Sequence, residues 1–199
     1  MLHKQKKKKE ISIEQPILKI GVFGPMGAGK TSIINRYCDE SFDKYCAATK
    51  APSMSETLTT VGNIEYEIKL FENPGGQDHF TKHLDVEYFQ HFNCLLLVFD
   101  VKDKKSFESM KELYKNTIKQ HLPVEQSKHG LVKIVLGNKN EKSNKEREVN
   151  VNDANEFTKS IGFVYTEVNC VEENKVKECL DDIILKTVTS SKKGKCIIF

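Results

Sequence analysis

The stretch Gly24-Pro25-Met26-Gly27-Ala28-Gly29-Lys30-Thr31 satisfies the pattern G-x-x-x-x-G-K-[ST] at each fixed position. It constrains the fold more than any other part of the chain, because such a loop needs a strand before it and a helix after it. Ile17-Leu18-Lys19-Ile20-Gly21-Val22-Phe23 is the apolar run of a short buried strand. Ile33, Ile34, Tyr37 and Cys38 recur at the spacing of one helix face. The glycines let consecutive backbone N–H groups turn inward, and the helix N-terminus adds a dipole favourable to anions. The context is that of a P-loop. The ammonium of Lys30 is placed to reach the β and γ phosphates of a nucleotide, and the hydroxyl of Thr31 to ligate Mg²⁺.

The remaining chain alternates strands and helices. Asp39 to Ser55 has no apolar period and reads as a long loop, and Thr57 to Val61 as a weak edge strand. After the Gly62-Asn63 turn, Ile64, Tyr66, Ile68 and Leu70 alternate with polar residues, which makes a hairpin with one face buried; Asn73-Pro74-Gly75-Gly76-Gln77 ends it. Asn93 to Asp100 and Val132 to Asn138 are continuous apolar runs typical of central parallel strands. Met110, Leu113, Tyr114 and Ile118 mark one amphipathic helix, and Ala154, Phe157 and Ile161 another. Phe163 to Val168 reads as a short strand, and Val176, Cys179, Leu180, Ile183, Ile184 and Val188 mark a last helix. This order predicts an α/β fold: a doubly wound, mostly parallel sheet with flanking helices, binding its nucleotide at the carboxyl ends of the strands.

Length and charge bound the partners. A chain of 199 residues with 38% hydrophobic content suits one domain. Residues 1–14 read as a basic disordered arm, 15–188 as the nucleotide-binding domain and 189–199 as a basic tail. The net charge is +3, yet eight lysines (Lys4, Lys6, Lys7, Lys8, Lys9, Lys192, Lys193 and Lys195) crowd the two ends; taking those eight from +3 leaves −5 for the rest. An acidic body is a poor nucleic-acid surface, and basic ends on it suit an anionic membrane leaflet better, so no nucleic-acid partner is expected. No apolar region follows the basic start, so it is not a secretory signal, and no run of 18 apolar residues is present. The six cysteines contain no C-x-x-C pair, which points to a reducing, cytosolic compartment rather than to zinc or a disulfide framework.

Several further motifs, in order, resemble those of the Ras-superfamily small GTPases of the Ras and Rab type. Gln77-Asp78-His79-Phe80 resembles the second switch. Phe99-Asp100-Val101 with Lys105-Ser106-Phe107 resembles the strand end and helix start common among Rab proteins. Asn138-Lys139 resembles the guanine-reading motif, and Cys196-Ile197-Ile198-Phe199 has the C-a-a-X form. The resemblance implies that Gly24, Met26, Gly27, Ala28, Gly29, Lys30, Thr31 and Ser32 surround the phosphates, and that Thr31 and Thr49 hold Mg²⁺. Phe42 would pack on the guanine, although a plain loop threonine at 49 and a core phenylalanine at 42 remain alternatives. Gly76 would hold the γ-phosphate through its N–H, and Gln77 would orient the attacking water, with Lys30 and Thr49 completing the catalytic set. Asn138, Lys139, Glu141, Asn169, Cys170 and Val171 would meet the base.

Departures from the family pattern carry their own expectations. Asn73 falls where the family keeps an aspartate that holds Mg²⁺ through water, so metal binding is expected to weaken and exchange to quicken. Met26 is bulkier than the family's usual residue and would crowd Gln77, which slows hydrolysis. Pro74-Gly75 alters the start of the second switch. Glu141 replaces an aspartate and Val171 a lysine, which loosens guanine selectivity. Only two arginines, Arg36 and Arg147, are present, so acceleration needs an arginine supplied in trans; the same scarcity argues against a phosphotransferase.

The terminal C-a-a-X with phenylalanine last predicts geranylgeranylation of Cys196, and the adjacent lysines give the second membrane signal. The chain therefore reads as a small switch binding GTP or GDP with Mg²⁺ on a cytosolic membrane face, in signalling or vesicle traffic. Effectors, exchange factors and GTPase-activating proteins would be its partners. The alternative is a membrane-tethered module that binds nucleotide without hydrolysing it.

Overall fold

The structure, a computed structural model, describes residues 15–38, 51–75, 86–122, 130–139 and 146–194. Strands β1 (Ile17–Phe23), β2 (Ser53–Val61), β3 (Ile64–Glu72), β4 (Cys94–Asp100), β5 (Val132–Lys139) and β6 (Val164–Asn169) form one sheet in the order β2-β3-β1-β4-β5-β6. Every neighbouring pair is parallel except the β2–β3 hairpin. The parallel strands therefore deliver their carboxyl ends to a single edge of the sheet, as expected for a doubly wound fold.

Alternation along the strands explains why helices cover both faces. Leu18, Ile20 and Val22 of β1 join Cys94, Leu96 and Val98 of β4 on one face, packed by Ile33, Ile34 and Tyr37 of α1 (Lys30–Cys38) and by Val176, Leu180, Ile183, Ile184 and Val188 of the last helix. Phe23 of β1 joins Leu95, Leu97 and Phe99 of β4 on the other. That face is covered by Phe107 and Met110 of α3, which begins as Lys104–Leu113, by Ala154 of α4 (Val151–Ile161), and by Phe89 of the short helix α2 (Val86–Gln90). Helix α3 then passes through a π-helical stretch, Tyr114–Ile118, to Lys119–His121. A strand buried on both faces must be apolar at successive positions, which is the reason for the unbroken run in β4.

Three boundaries differ from the sequence expectation. Ser53–Ser55, expected in loop, belong to β2, because the free edge of β3 offers a backbone ladder through Ser53↔Glu72 and Ser55↔Leu70. Helix α5 (Glu173–Gly194) begins before Val176 and continues six residues past Val188, so the basic tail expected from 189 starts as helix. Its polar side chains are absorbed by the helix itself: the hydroxyls of Thr187, Thr189 and Ser191 donate to the carbonyls of Ile183, Leu185 and Thr187 at 2.8–2.9 Å. The strand expected from Phe163 to Val168 runs one residue later, Val164–Asn169.

No helix among the described residues is long and apolar enough to cross a membrane.

Candidate functional site

The carboxyl edge of the sheet brings together the phosphate loop and the strand ends at Asn138 and Asn169. After β1 the backbone passes through Gly24 (φ +150°), Gly27 (φ +80°) and Gly29 (φ +89°), conformations that disfavour any side chain, and then enters α1 at Lys30. Two of these glycines are also packed tightly. A Cβ on Gly24 would lie 2.2 Å from the Val98 carbonyl oxygen, and one on Gly29 would lie 2.1 Å from Asn138 Nδ2. The loop is thus pressed against the ends of β4 and β5.

Lys30 is 4% exposed, and its Nζ donates to the carbonyls of Gly24 and Pro25 at 3.0 Å each, so the ammonium sits inside the loop. Burial lowers its pKa from the ordinary 10.5 to about 8, opposed by the Glu72 carboxylate. Thr31, the next residue, donates its hydroxyl to Glu72 Oε1 at 2.6 Å. Glu72 ends β3 and is 3% exposed. Asn73 is also buried, but its amide donates to the Tyr88 hydroxyl at 3.1 Å, in the partly buried group beside Phe89. The structure therefore places Glu72, and not Asn73, against Thr31.

Asn138, at the end of β5, is 2% exposed and donates Nδ2 to the Ala28 carbonyl at 3.1 Å; its Oδ1 has no hydrogen-bond partner among the described residues. A buried amide with an unanswered acceptor, fastened to the phosphate loop, suits a nucleobase that would satisfy it. Lys139 is the last residue of β5, and β6 places Asn169 directly beside it. Asn169 closes a turn of its own, accepting from the Val171 N–H at 3.0 Å and donating to Glu172 at 2.9 Å. The carbonyl of Val171 accepts from Arg36 of α1 at 3.2 Å, and Cys170 is buried in the core beneath.

Met26 projects from the loop at 68% exposure while its N–H donates to the Gly75 carbonyl at 3.1 Å. That bond ties the P-loop to the segment after β3. Ser32 is half-buried in the first turn of α1. Phe42, Thr49, Gly76, Gln77, Glu141 and Cys196 lie outside the described residues.

For Mg²⁺ the residues present fit: a threonine hydroxyl and a buried carboxylate are hard oxygen donors beside a phosphate loop, the donor type this cation takes. Held by Thr31 and Glu72, the cation would supply charge neutralisation at the phosphates. Sequence reasoning missed Glu72. The available signal was the β3 alternation itself, since Tyr66, Ile68 and Leu70 form a buried face and Glu72 is its next member.

Comparison with known proteins agrees with this geometry. The family model described as the Ras family matches residues 19–189. The chain is similar to the Ras-related protein Rab-7a of Paramecium octaurelia, 27% identical over 189 residues, which cover 94% of this chain and 89% of that protein. It is 29% identical to the Ras-related protein RABG1 of Arabidopsis thaliana over 183 residues, 91% of this chain and 88% of that one. It is also 29% identical to the Ypt/Rab-type GTPase YPT7 of Saccharomyces cerevisiae over 154 residues, 77% and 72% of the two chains. With the fold, the phosphate loop and a family match over most of its length, the chain belongs to the Ras family of small GTPases.

Proposed function

We propose that this protein is a guanine-nucleotide switch of the Rab type, tethered to the cytosolic face of a membrane and acting in vesicle traffic. The observation that carries the reading is the bond from Asn138 to Ala28, which fastens the end of β5 to the phosphate loop. In that site the N–H groups of the loop 24–29 receive the phosphates, Lys30 neutralises them, and Thr31 with Thr49 holds Mg²⁺. Asn138 and Lys139 take the base, with Glu141 and the Asn169–Val171 turn at its far side. GTP would order the segments containing Thr49 and Gly76 and so present a surface to effectors; exchange factors and GTPase-activating proteins would reset it. Geranylgeranyl on Cys196 together with the lysines of both ends would supply the anchor.

Hydrolysis is slow in this reading, because Met26, exposed on the loop and bonded to Gly75, is bulkier than the family's usual residue and the chain has only two arginines, Arg36 and Arg147. The same Met26 favours the second reading, a module that holds GTP without turning it over. A single-turnover experiment with bound GTP and Mg²⁺ separates the two. The switch reading expects conversion to GDP over hours, faster for Met26→Gly; GTP that stays intact in both proteins would leave only the module.

A further inference from the structure

We propose that Arg36 is a positioning residue for base recognition: from α1 it holds the turn 169–171 in place through the Val171 carbonyl. The assignment rests on the nucleotide-binding reading above, which gives Asn169, Cys170 and Val171 to the base. β6 is the last strand of the sheet, so the turn that follows it has a neighbouring strand on one side only. The turn's own bonds fix its shape. Asn169 Oδ1 accepts from the Val171 N–H at 3.0 Å, Asn169 Nδ2 donates to Glu172 at 2.9 Å, and the Glu172 N–H donates to the Asn169 carbonyl at 3.2 Å. All three lie within residues 169–172, so they do not decide where the turn stands relative to the phosphates. Contacts that reach outside it do. Cys170 is buried in the core beneath, and Arg36 Nη2 donates to the Val171 carbonyl at 3.2 Å.

Arg36 suits this role because the helix that carries it is itself fixed. Ile33 and Ile34 of α1 are buried in the core. Tyr37, the next residue, donates its hydroxyl to Asp181 of α5 at 2.9 Å and pairs with the Thr59 hydroxyl of β2 at 2.9 Å. Lys30 and Arg36 stand on the same helix, separated by about 9 Å along its axis. One rigid element thus sets both the ammonium that meets the phosphates and the guanidinium that holds the base turn, and it fixes the spacing between them. A guanidinium is always charged, and its planar fork makes charge-assisted bonds of defined direction. What it takes from residue 171 is a backbone carbonyl, which any side chain leaves in place. Valine at 171 lacks the ammonium of the family's usual lysine, yet the turn is held all the same. Guanine discrimination therefore depends on Arg36, which acts through the turn rather than on the base.

The test uses the full chain carrying fluorescent GDP, displaced by GDP and by ADP, so that the ratio of the two midpoints reads base recognition. ADP shares the ribose and diphosphate of GDP, so a loss at the phosphates or a general loosening of the fold weakens both and leaves the ratio unchanged. Arg36→Met keeps the aliphatic stem and removes the donors; it is expected to shrink the ratio at least tenfold, with the ADP midpoint within threefold of wild type. Arg36→Lys retains a charged donor on a slightly shorter stem and is expected to keep the ratio within threefold of wild type. A ratio within twofold of wild type in Arg36→Met would overturn the assignment, leaving Arg36 as a residue of general stability. A lysine variant no better than the methionine one would overturn it too, since the donor would then not matter. Where Arg36→Met does not fold, Arg36→Gln, polar but two bonds too short for the carbonyl, decides by the same criterion. A wild type displaced equally by GDP and ADP overturns the guanine reading and the assignment together, a result distinct from the others because it needs no variant.

Discussion

Lys30→Met is expected to lower affinity for GTP at least about a hundredfold, since one ammonium serving two phosphates forms charge-assisted hydrogen bonds worth about 1.5–3 kcal/mol each. The nucleotide-free variant should nevertheless be no less stable than the wild type at pH 7. The reason lies in the position of the lysine. Lys30 is buried against the carbonyls of Gly24 and Pro25, and its folded pKa of about 8 lies below its ordinary 10.5. The folded state therefore binds the proton less firmly than the unfolded state. Below pH 8 the protonated lysine penalises folding; between pH 8 and 10.5 the penalty is relieved, and stability rises. The wild type should gain on the order of 3 kcal/mol relative to Lys30→Met across that window. Methionine fills the same space without a charge, so titrations shared by both proteins cancel in the difference. Denaturant midpoints of both, measured without nucleotide from pH 7 to 10.5, check the slope, and a parallel pair of curves would contradict the account. Phosphate binding recovers what burial costs: the loop holds a cation at a standing disadvantage until an anion arrives.

Gly24→Ala is expected to destabilise the fold by about 3 kcal/mol, from backbone strain at a glycine-only φ together with overpacking. The methyl would meet the Val98 carbonyl at 2.2 Å, and that carbonyl belongs to β4, a buried strand in ladders with both β1 and β5. No flexible side chain is there to give way. Gly27→Ala is the control. It also has a positive φ, yet nothing lies within 4 Å of its added Cβ, so its cost should be that of the left-handed backbone alone, about 1–2 kcal/mol. Equal losses from the two substitutions, read as denaturant midpoints, would show that φ and not the contact with β4 selects glycine at 24.

Much of this architecture is legible because the strongest signals are local. The P-loop sits between a seven-residue strand and a helix in both the pattern and the structure, and Cys94–Asp100 is apolar throughout because both its faces are covered. The β2 strand is less legible. It lies at the edge of the sheet, with Ser53, Ser55, Thr57 and Thr59 along it, and its pairing with β3 sets its length rather than any hydrophobic period. The end of α5 escapes for a related reason, since hydroxyls that bond back to their own helix extend it beyond the last apolar residue. Glu72 shows a different limit. Counting positions along a motif leads to Asn73, whereas the face a side chain occupies is decided by alternation within β3, and that places the carboxylate one residue earlier. The motif singles out Asn138, but its bond to the Ala28 carbonyl depends on how β5 ends beside the loop and has no signal in the sequence.

Displacement of bound fluorescent GDP from the purified full chain asks whether one site holds a guanine nucleotide. GDP, GTP, ADP and ATP would each be titrated as competitors, with Mg²⁺ and with chelator. GDP and GTP are expected to displace it at concentrations at least about a hundredfold below those needed for ADP and ATP, as a site that hydrogen-bonds its base discriminates, with tighter retention when Mg²⁺ is present. Equal displacement by adenine and guanine nucleotides would contradict it.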